Sequence, residues 1–568
     1  MLRKEVKLRY RILQIFFLFL YVFIIISGIF FKTDLSENND NDENSNKTPA
    51  LVDSKGYFVV SDKEVYEAWI DLKYLRTRKK LETYKTLIMR KYSESEINKK
   101  NFLFWGSYQT YSDLEKDVGV LIEFTNVVKN YDRIYDKLFT IEQIIGEKEK
   151  TIYGIEPYLF ENGYFDSDNS QIKLTIDLEL QKILYNQLKS TVEERNAEGA
   201  VAIIMETKTG KVKASVSVYP WNMNYMGYIE PGSTLKPLLY GLMIDEKIIG
   251  KDDKYYSGKD YKPLEDTDYF IKEASGYGYG ELDLTKAIAE SSNIAIAQAM
   301  KKLLGEYSND WFYQELLKLG LGRKTGIEFK GEIEGKIPVP DEWYKITPYQ
   351  IAMGQGIGVT PIQLIASFNS IVNNGFYVKP TFLEDKNVYG YQFFSPDTAN
   401  YIKNIMRYTT ITGTAREVGN KGVYFGGKTG TAQKAKIGVG YDNENYYSLF
   451  AGFYPVTDPK YTILVIVDSP KGQYYGGDVA APVVESVFRS YEMGNENTQY
   501  LTKEFFKDVM PNLINSNIAD ALNIMNKIGF SDKKIIIKGD GDTIISQYPS
   551  PGEYGKNFDY IEFNTGWR

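Results

Sequence analysis

A chain of 568 residues with no cysteine and no histidine rules out more chemistry than most sequences do. A Ser-His-Asp triad, a thiolate nucleophile, disulfide staples and the usual zinc and haem sites are all excluded, and an all-oxygen calcium or magnesium site is the ordinary metal chemistry left. Neither a metal nor an organic cofactor is expected. A serine nucleophile in this chain would need a lysine as its base. Basic residues are also in deficit: 68 Lys and Arg face 75 Asp and Glu, a formal net charge of -7 with a pI near 5.3. That leaves no positive field for nucleic acid, so neither DNA nor RNA is an expected partner. The lack of cysteine suits an oxidising compartment without proving one. With 43% apolar and 25% charged residues, the chain reads as folded, with several domains.

One long hydrophobic run is present. Residues 12–31 are apolar apart from Gln14, Ser27 and Gly28, a length that just spans a bilayer as a helix. Arg3, Lys4, Lys7, Arg9 and Arg11 precede it against the single acid Glu5, so the positive-inside rule places residues 1–11 in the cytoplasm and the remainder outside. A single-pass protein of the cytoplasmic membrane is expected. The competing reading, a cleaved signal peptide, is weakened by the length of the run and by the lack of a small-x-small cleavage site.

Residues 32–50, rich in Asn, Asp, Glu, Ser and Thr, read as a flexible linker. Residues 51–168 mix strands expected at 57–60 and 120–124 with helical stretches at 70–89 and 141–149, and show no chemistry. From residue 172 the texture changes: a strand starts at 173–177, helical spacing follows over 178–195, and 200–205 with 211–218 predict a hairpin around Thr209-Gly210. Further strands are expected at 447–453 and 461–467, with mostly helix between. Strands from both ends of a segment, with helices between, predict an antiparallel sheet covered by helices, an α+β layout. Beyond residue 510 lies a small unit: a helix capped by Ser516, striped by Ile518, Leu522 and Met525 and closed by Gly529, then strands at 534–538, 543–548 and 560–564.

Three tetrads fit Ser-x-x-Lys, and about two are expected by chance in a chain of this length. Ser170 with Lys173 lies at the start of a strand, where side chains three apart point to opposite faces. Ser531 with Lys534 sits in a loop after the small C-terminal helix. Ser233 with Lys236, in Pro231-Gly-Ser-Thr-Leu-Lys-Pro237, stands apart. Pro231-Gly232 reads as a turn before an apolar helical stretch, which puts Ser233 at a helix N-terminus with Lys236 one turn away on the same face. Pro237 is tolerated so early in a helix. On the tetrad alone, a capping serine beside a solvated lysine is an equal alternative. Asn293, in Ser291-Ser-Asn293, falls in a tight junction between helical stretches 283–290 and 294–304, though the same pattern recurs at Ser36, Ser167 and Ser367. Lys-Thr-Gly also occurs three times: 208–210 as the hairpin turn, 324–326 in a glycine-rich loop, and 428–430 in Phe425-Gly-Gly-Lys-Thr-Gly-Thr-Ala-Gln433, where small residues let a ligand approach a strand backbone. Glycine clusters at 276–280 and 354–358 complete neither a dinucleotide nor a Walker fingerprint and read as loops lining the cleft.

Taken in order, the segments around Ser233, Ser291 and Lys428 resemble the motif set of penicillin-binding proteins and class A β-lactamases, and the chain resembles a class B penicillin-binding protein. The likeness continues through Leu174-Thr-Ile-Asp177 with Gln181, Met205-Glu-Thr-Lys-Thr-Gly210, Gly354-Gln-Gly356 with Thr360-Pro361, Asn374-Gly375 with Lys379-Pro380, Gly413-Thr-Ala415, and Tyr475-Gly-Gly477 through Ala480-Ala-Pro482, covering about 172–491. It implies a transpeptidase domain at 169–492, of penicillin-binding/β-lactamase-like α+β fold with an all-helical subdomain, behind a pedestal at 51–168. Residues 500–568, through Met510-Pro-Asn-Leu513 and Ser550-Pro-Gly552, resemble a PASTA module of division-type members. The pedestal departs from the family pattern, because its arginine-led strand-turn motif is replaced by Val52-Asp-Ser-Lys-Gly56.

The resemblance also implies roles. Ser233 attacks the carbonyl between the two terminal D-alanines of a peptidoglycan stem peptide, with Lys236 as base. Ser291 relays the proton to the leaving amine, and Asn293 bonds the substrate backbone or Lys236. Lys428, Thr429, Gly430 and Thr431 bind the terminal carboxylate, while the backbone NH groups of Ser233 and Thr431 form the oxyanion hole. A free lysine titrates near 10.4, so the site must lower Lys236 by roughly three units, through burial and the second cation Lys428. Implied partners are peptidoglycan stem peptides, β-lactam antibiotics, and a membrane-embedded SEDS-type glycosyltransferase with other division proteins; the implied role is septal cross-linking. Alternatives are an elongation-type transpeptidase, a D,D-carboxypeptidase using water, a β-lactamase with rapid deacylation, and a catalytically silent peptidoglycan-binding scaffold. Intact Ser233, Lys236 and Lys428 argue against the scaffold.

Overall fold

A computed structural model describes residues 48–566, apart from 149, 167–169, 420–424, 437–439, 495–509, 511–512, 515–516, 528–533 and 550–558. The expected cytoplasmic tail, membrane helix and linker as far as residue 47 lie outside the described residues, as do Ser516, Gly529 and Ser531. Among those described, no helix is long and apolar enough to cross a membrane.

The end of the expected linker belongs to the fold. Arg133 donates to the carbonyls of Thr48 at 3.2 Å and Pro49 at 2.8 Å, and Ala50 already begins strand β1 (Ala50–Val52). The turn Val52-Asp-Ser-Lys-Gly56 leads into β2 (Phe58–Asp71), which pairs with β1, with β3 (Phe102–Tyr108) and, from Val60 to Ile70, with β4 (Thr125–Tyr135). On its other side β1 runs parallel to β5 (Gln171–Lys173). Helices Leu72–Thr77, Leu81–Ile88, Glu94–Lys99 and Tyr111–Val118 cover the far end of this sheet around Ile70, Leu75, Ile88 and Leu103.

The strand expected at 120–124 is instead a 3-10 segment, Gly119–Phe124. It buries Leu121 and Phe124, three apart, and leaves Val120 65% exposed, a spacing that strand alternation cannot produce. Five largely apolar residues do not separate the two periods, and pairing with β2 starts only at Thr125.

The main sheet is antiparallel throughout. Its strands are β6 (Gly199–Glu206), β7 (Val212–Ser217), β8 (Gly426–Lys436), β9 (Gly440–Tyr454) and β10 (Tyr461–Asp468), in the order β8-β9-β10-β6-β7. Strands from the two ends of the segment therefore meet at the β10–β6 pair, as the sequence predicts. Strand β6 is apolar along its length because both its faces are covered. Ala200, Ala202 and Ile204 pack on one side with Leu180, Leu184 and Leu188 of α1 (Leu178–Glu194) and with the helix Ala481–Gly494, while Val201, Ile203 and Met205 face the helical subdomain. The α1 leucines recur every four residues, and Asp177 caps the helix by accepting from the NH groups of Glu179 and Leu180. The subdomain between β7 and β8 holds α2 (Lys236–Asp245), α3 (Leu284–Ala289), α4 (Asn293–Glu306) and α5 (Pro361–Val372), the last buried on every side.

The C-terminal unit follows its predicted order: helix Ile518–Lys527, then β11 (Lys534–Lys538), β12 (Thr543–Tyr548) and β13 (Tyr560–Gly566), with β13 parallel to β11 and antiparallel to β12. Its buried residues, among them Met510, Met525, Ile544 and Phe563, form one apolar cluster with Ala50, Val52 and Phe58 of β1 and β2.

Candidate active site

Ser233 stands on a single 3-10 turn, Gly232–Leu235, that runs directly into α2. The expected helix N-terminus is there, with the serine on the tighter turn just before the α-helix. Gly232 opens that turn at a φ of 53°, a region that side-chain-bearing residues avoid, and donates its NH to the Gly354 carbonyl at 3.0 Å. Thr234 Oγ1 donates back to the Pro231 carbonyl at 2.6 Å. Pro237 lies in the first positions of α2, where a missing NH costs least.

Lys236 is completely buried, and its Nζ donates to the Ser291 carbonyl at 2.6 Å and to Asn293 Oδ1 at 2.8 Å. Burial, opposed by the Glu273 carboxylate, lowers its pKa from 10.5 to about 7. A neutral amine has two hydrogens and one lone pair. The two acceptors use both hydrogens, so the lone pair remains for a proton from elsewhere. Lys428, also completely buried, projects from β8 and donates to the Thr429 carbonyl at 3.0 Å. Burial first, then the charge of Lys236, holds its pKa well below the usual lysine range. The depression of Lys236 is thus an effect of burial, and the expected repulsion between two cations is felt at Lys428.

Ser291 adopts a left-handed φ of 62° between α3 and α4. Ser292 Oγ caps α4 by accepting from Ala295 N at 3.0 Å. The Asn293 side-chain NH2 donates to the Lys272 carbonyl at 3.0 Å, which turns Oδ1 toward Lys236. Beneath this junction lies the buried carboxylate of Glu273.

Strand β8 brings the third motif. Lys428, Thr429, Gly430 and Thr431 stand opposite Ala451, Phe450, Leu449 and Ser448 of β9, and strand alternation sends Thr429 and Thr431 to the face opposite Lys428 and Gly430. A Cβ at Gly430 would lie 3.0 Å from Thr234 Cγ2 and 3.1 Å from Leu449 Cβ, so only glycine lets β8 close against the serine turn without displacing a neighbour. The Thr429 and Thr414 hydroxyls are hydrogen-bonded at 2.6 Å, and Gly476 N donates to Thr431 Oγ1 at 3.4 Å.

The eight residues singled out in the sequence therefore converge. Ser233, Ser291, Asn293, Thr429 and Thr431 line an open cleft of about 660 Å³, with Lys236 and Lys428 buried behind it and Gly430 sealing strand to turn. The hydroxyls of Ser233 and Ser291 have no hydrogen-bond partner among the described residues. The glycine-rich loops line the cleft as expected, through Tyr277, Tyr279 and Gln355. Sequence reasoning missed Glu273 and the aromatic pair in which Tyr446 stacks on Tyr474 at 4.4 Å between ring centres. None of these sits in a short motif. The decoys stay out of the cleft: Lys173 lies on β5, Lys208-Thr209-Gly210 forms the β6–β7 turn, and Lys324-Thr325-Gly326 is held in its loop by Glu332.

The family model for the penicillin binding protein transpeptidase domain matches residues 200–489. Among curated proteins, the chain is similar to stage V sporulation protein D of Bacillus subtilis, 26% identical over 423 residues, covering 68% of this chain and 64% of the relative. It is also similar to the peptidoglycan D,D-transpeptidase FtsI of Buchnera aphidicola, 31% identical over 347 residues, covering 57% of this chain and 58% of the relative. The chain thus spans about three fifths of the length of these relatives. Among solved structures, the apo TP domain of Burkholderia pseudomallei penicillin-binding protein 3 matches with a TM-score of 0.52 and 27% identity, over 57% of this chain and 96% of that one. Penicillin-binding protein 3 of Mycobacterium tuberculosis, complexed with aztreonam, matches with a TM-score of 0.60 over 80% of this chain and 96% of that one; at 19% identity this is a likeness of fold alone.

Proposed function

Because the chain belongs to the penicillin-binding protein transpeptidase family, we propose that it is a peptidoglycan D,D-transpeptidase that cross-links stem peptides through an acyl-enzyme on Ser233. The observation that carries this reading is the Ser233–Lys236 pair: a serine hydroxyl open to a cleft, three residues before a buried lysine whose pKa near 7 frees its lone pair at neutral pH. Ser233 Oγ attacks the carbonyl between the two terminal D-alanines, and its proton passes to Lys236 Nζ. The C–N bond then breaks, the proton reaches the leaving D-alanine amine through the Ser291 hydroxyl, and an amine of a neighbouring stem displaces the serine to form the cross-link. Developing negative charge on the carbonyl oxygen meets the backbone NH groups of Ser233 and Thr431. The terminal carboxylate meets Thr429 and Thr431, with Lys428 behind them; buried and in no ion pair among the described residues, Lys428 gains a counter-ion when that carboxylate arrives. β-Lactams acylate the same serine.

In this reading residues 12–31 anchor the protein in the cytoplasmic membrane with the catalytic domain outside, 51–168 serve as pedestal, and 500–568 form a PASTA-like module that points to septal synthesis beside a SEDS-type glycosyltransferase. The test uses the full chain in detergent with a fluorescent penicillin. Stable label on the wild type and none on Ser233→Ala is expected. An unlabelled wild type sinks the proposal, and rapid turnover of the drug makes the protein a β-lactamase instead.

A further inference from the structure

Glu273 lies twenty residues before Asn293 and outside every motif above. Its carboxylate is 5% exposed and accepts four hydrogen bonds: from Ser257 Oγ at 2.8 Å, from Ser292 Oγ, from Asn293 N at 2.7 Å and from Ile294 N at 3.3 Å. Two of those donors are the first backbone NH groups of the fourteen-residue α4, which have no partner inside the helix and lie at its positive end. The adjacent Lys272 carbonyl takes the Asn293 side-chain NH2. One two-residue segment thus sets both the backbone of the Ser291–Asn293 junction and the rotation of the Asn293 amide. Those are the two features that aim the Ser291 carbonyl and Asn293 Oδ1 at Lys236.

We infer that Glu273 is the positioning residue of the lysine base: it fixes the junction that carries both acceptors of the Lys236 amine, and it lends a negative charge to an otherwise cationic, buried site. The inference rests on the reading of Lys236 as the base for Ser233. Lys428 faces Lys236 from β8, Glu290 at the end of α3 acts on Lys428, and the Glu273 charge is also felt by Tyr240 and Tyr279, whose phenols burial keeps protonated. Among these groups it is Glu273 whose charge acts on Lys236, raising its proton affinity against the effect of burial. Without it the amine would be still less basic and a weaker proton acceptor.

The test is the pH dependence of penicillin acylation in the full chain, for wild type, Glu273→Gln, Glu273→Asp and Glu273→Ala, with thermal melting as a check on folding. Glu273→Gln keeps the shape and removes the charge. Its acid limb moves to lower pH by at least about half a unit, and its plateau rate falls about two- to threefold as the base weakens. Glu273→Asp restores the limb toward wild type with a reduced plateau, which a purely structural contact would not do. Glu273→Ala, if it folds, loses the most rate. A folded Glu273→Gln whose acid limb superimposes on that of a labelled wild type overturns the inference alone. A wild type that takes no label at any pH overturns the parent reading and this one with it.

Discussion

Lys428-Thr429-Gly430 and Lys324-Thr325-Gly326 are the same three residues in two settings. Lys428 projects from the edge strand of the main sheet, completely buried and with no counter-ion among the described residues, while Lys324 is exposed in a loop. Thr429 shares a hydrogen bond with Thr414 and faces the cleft. Thr325 is consumed by structure: its NH and hydroxyl donate to Glu332 Oε1 at 2.7 and 2.6 Å, and Gly326 N donates to Oε2 at 2.9 Å. Gly430 is needed for a close approach, whereas Gly326 is needed for a left-handed φ of 73°. The tripeptide carries no chemistry of its own. Burial of the lysine and an open face beside the threonine supply it.

Exchanging the lysines tests the contrast hardest. Lys428→Met should lower the second-order rate of penicillin acylation by about a hundredfold, the scale of losing one preorganised charged contact, while Lys324→Met should stay near wild type; equal losses would dissolve the distinction. The pH profile comes next. Lys236 is protonated, and so cannot accept, below its pKa, so acylation should rise with pH around a midpoint near 7 and fall about tenfold per unit on the acid side. Lys324→Met should leave that midpoint in place. The glycines separate reactivity from stability. Gly430→Ala should slow acylation several-fold by pushing β8 off the serine turn, whereas Gly326→Ala should cost about 1 kcal/mol in unfolding free energy through its backbone and leave acylation alone. The smallest effect is Thr325→Val, which strips one donor from Glu332 and should cost about 1 kcal/mol by denaturant titration with no change in labelling.

The site was legible because its chemistry comes in ordered short motifs. Ser233, Ser291, Asn293 and 428–431 were each ambiguous alone and became specific in sequence order, and the structure gathers them in one cleft and in the wall behind it. The sheet was legible because β6 and β10 are apolar runs bounded by turns, and α1 repeats leucine every four residues. Glu273 was not, since a lone carboxylate in a loop acquires meaning only when folding sets it under α4. The segment 119–124 was misread because a short apolar run fits two periods. Thr48–Ala50 were placed in the linker because their polar neighbours hid the long-range bonds from Arg133.

The cluster that joins Ala50, Val52 and Phe58 to the C-terminal unit also orders events in time. Phe58 is synthesised roughly 450 residues before Met510, a delay of about 20 to 90 seconds at ordinary translation speeds. During that interval β1 and β2 exist with one apolar side uncovered. An early strand is thus finished late, so the newborn chain needs β1 and β2 kept from other sticky surfaces until residues 510–566 arrive.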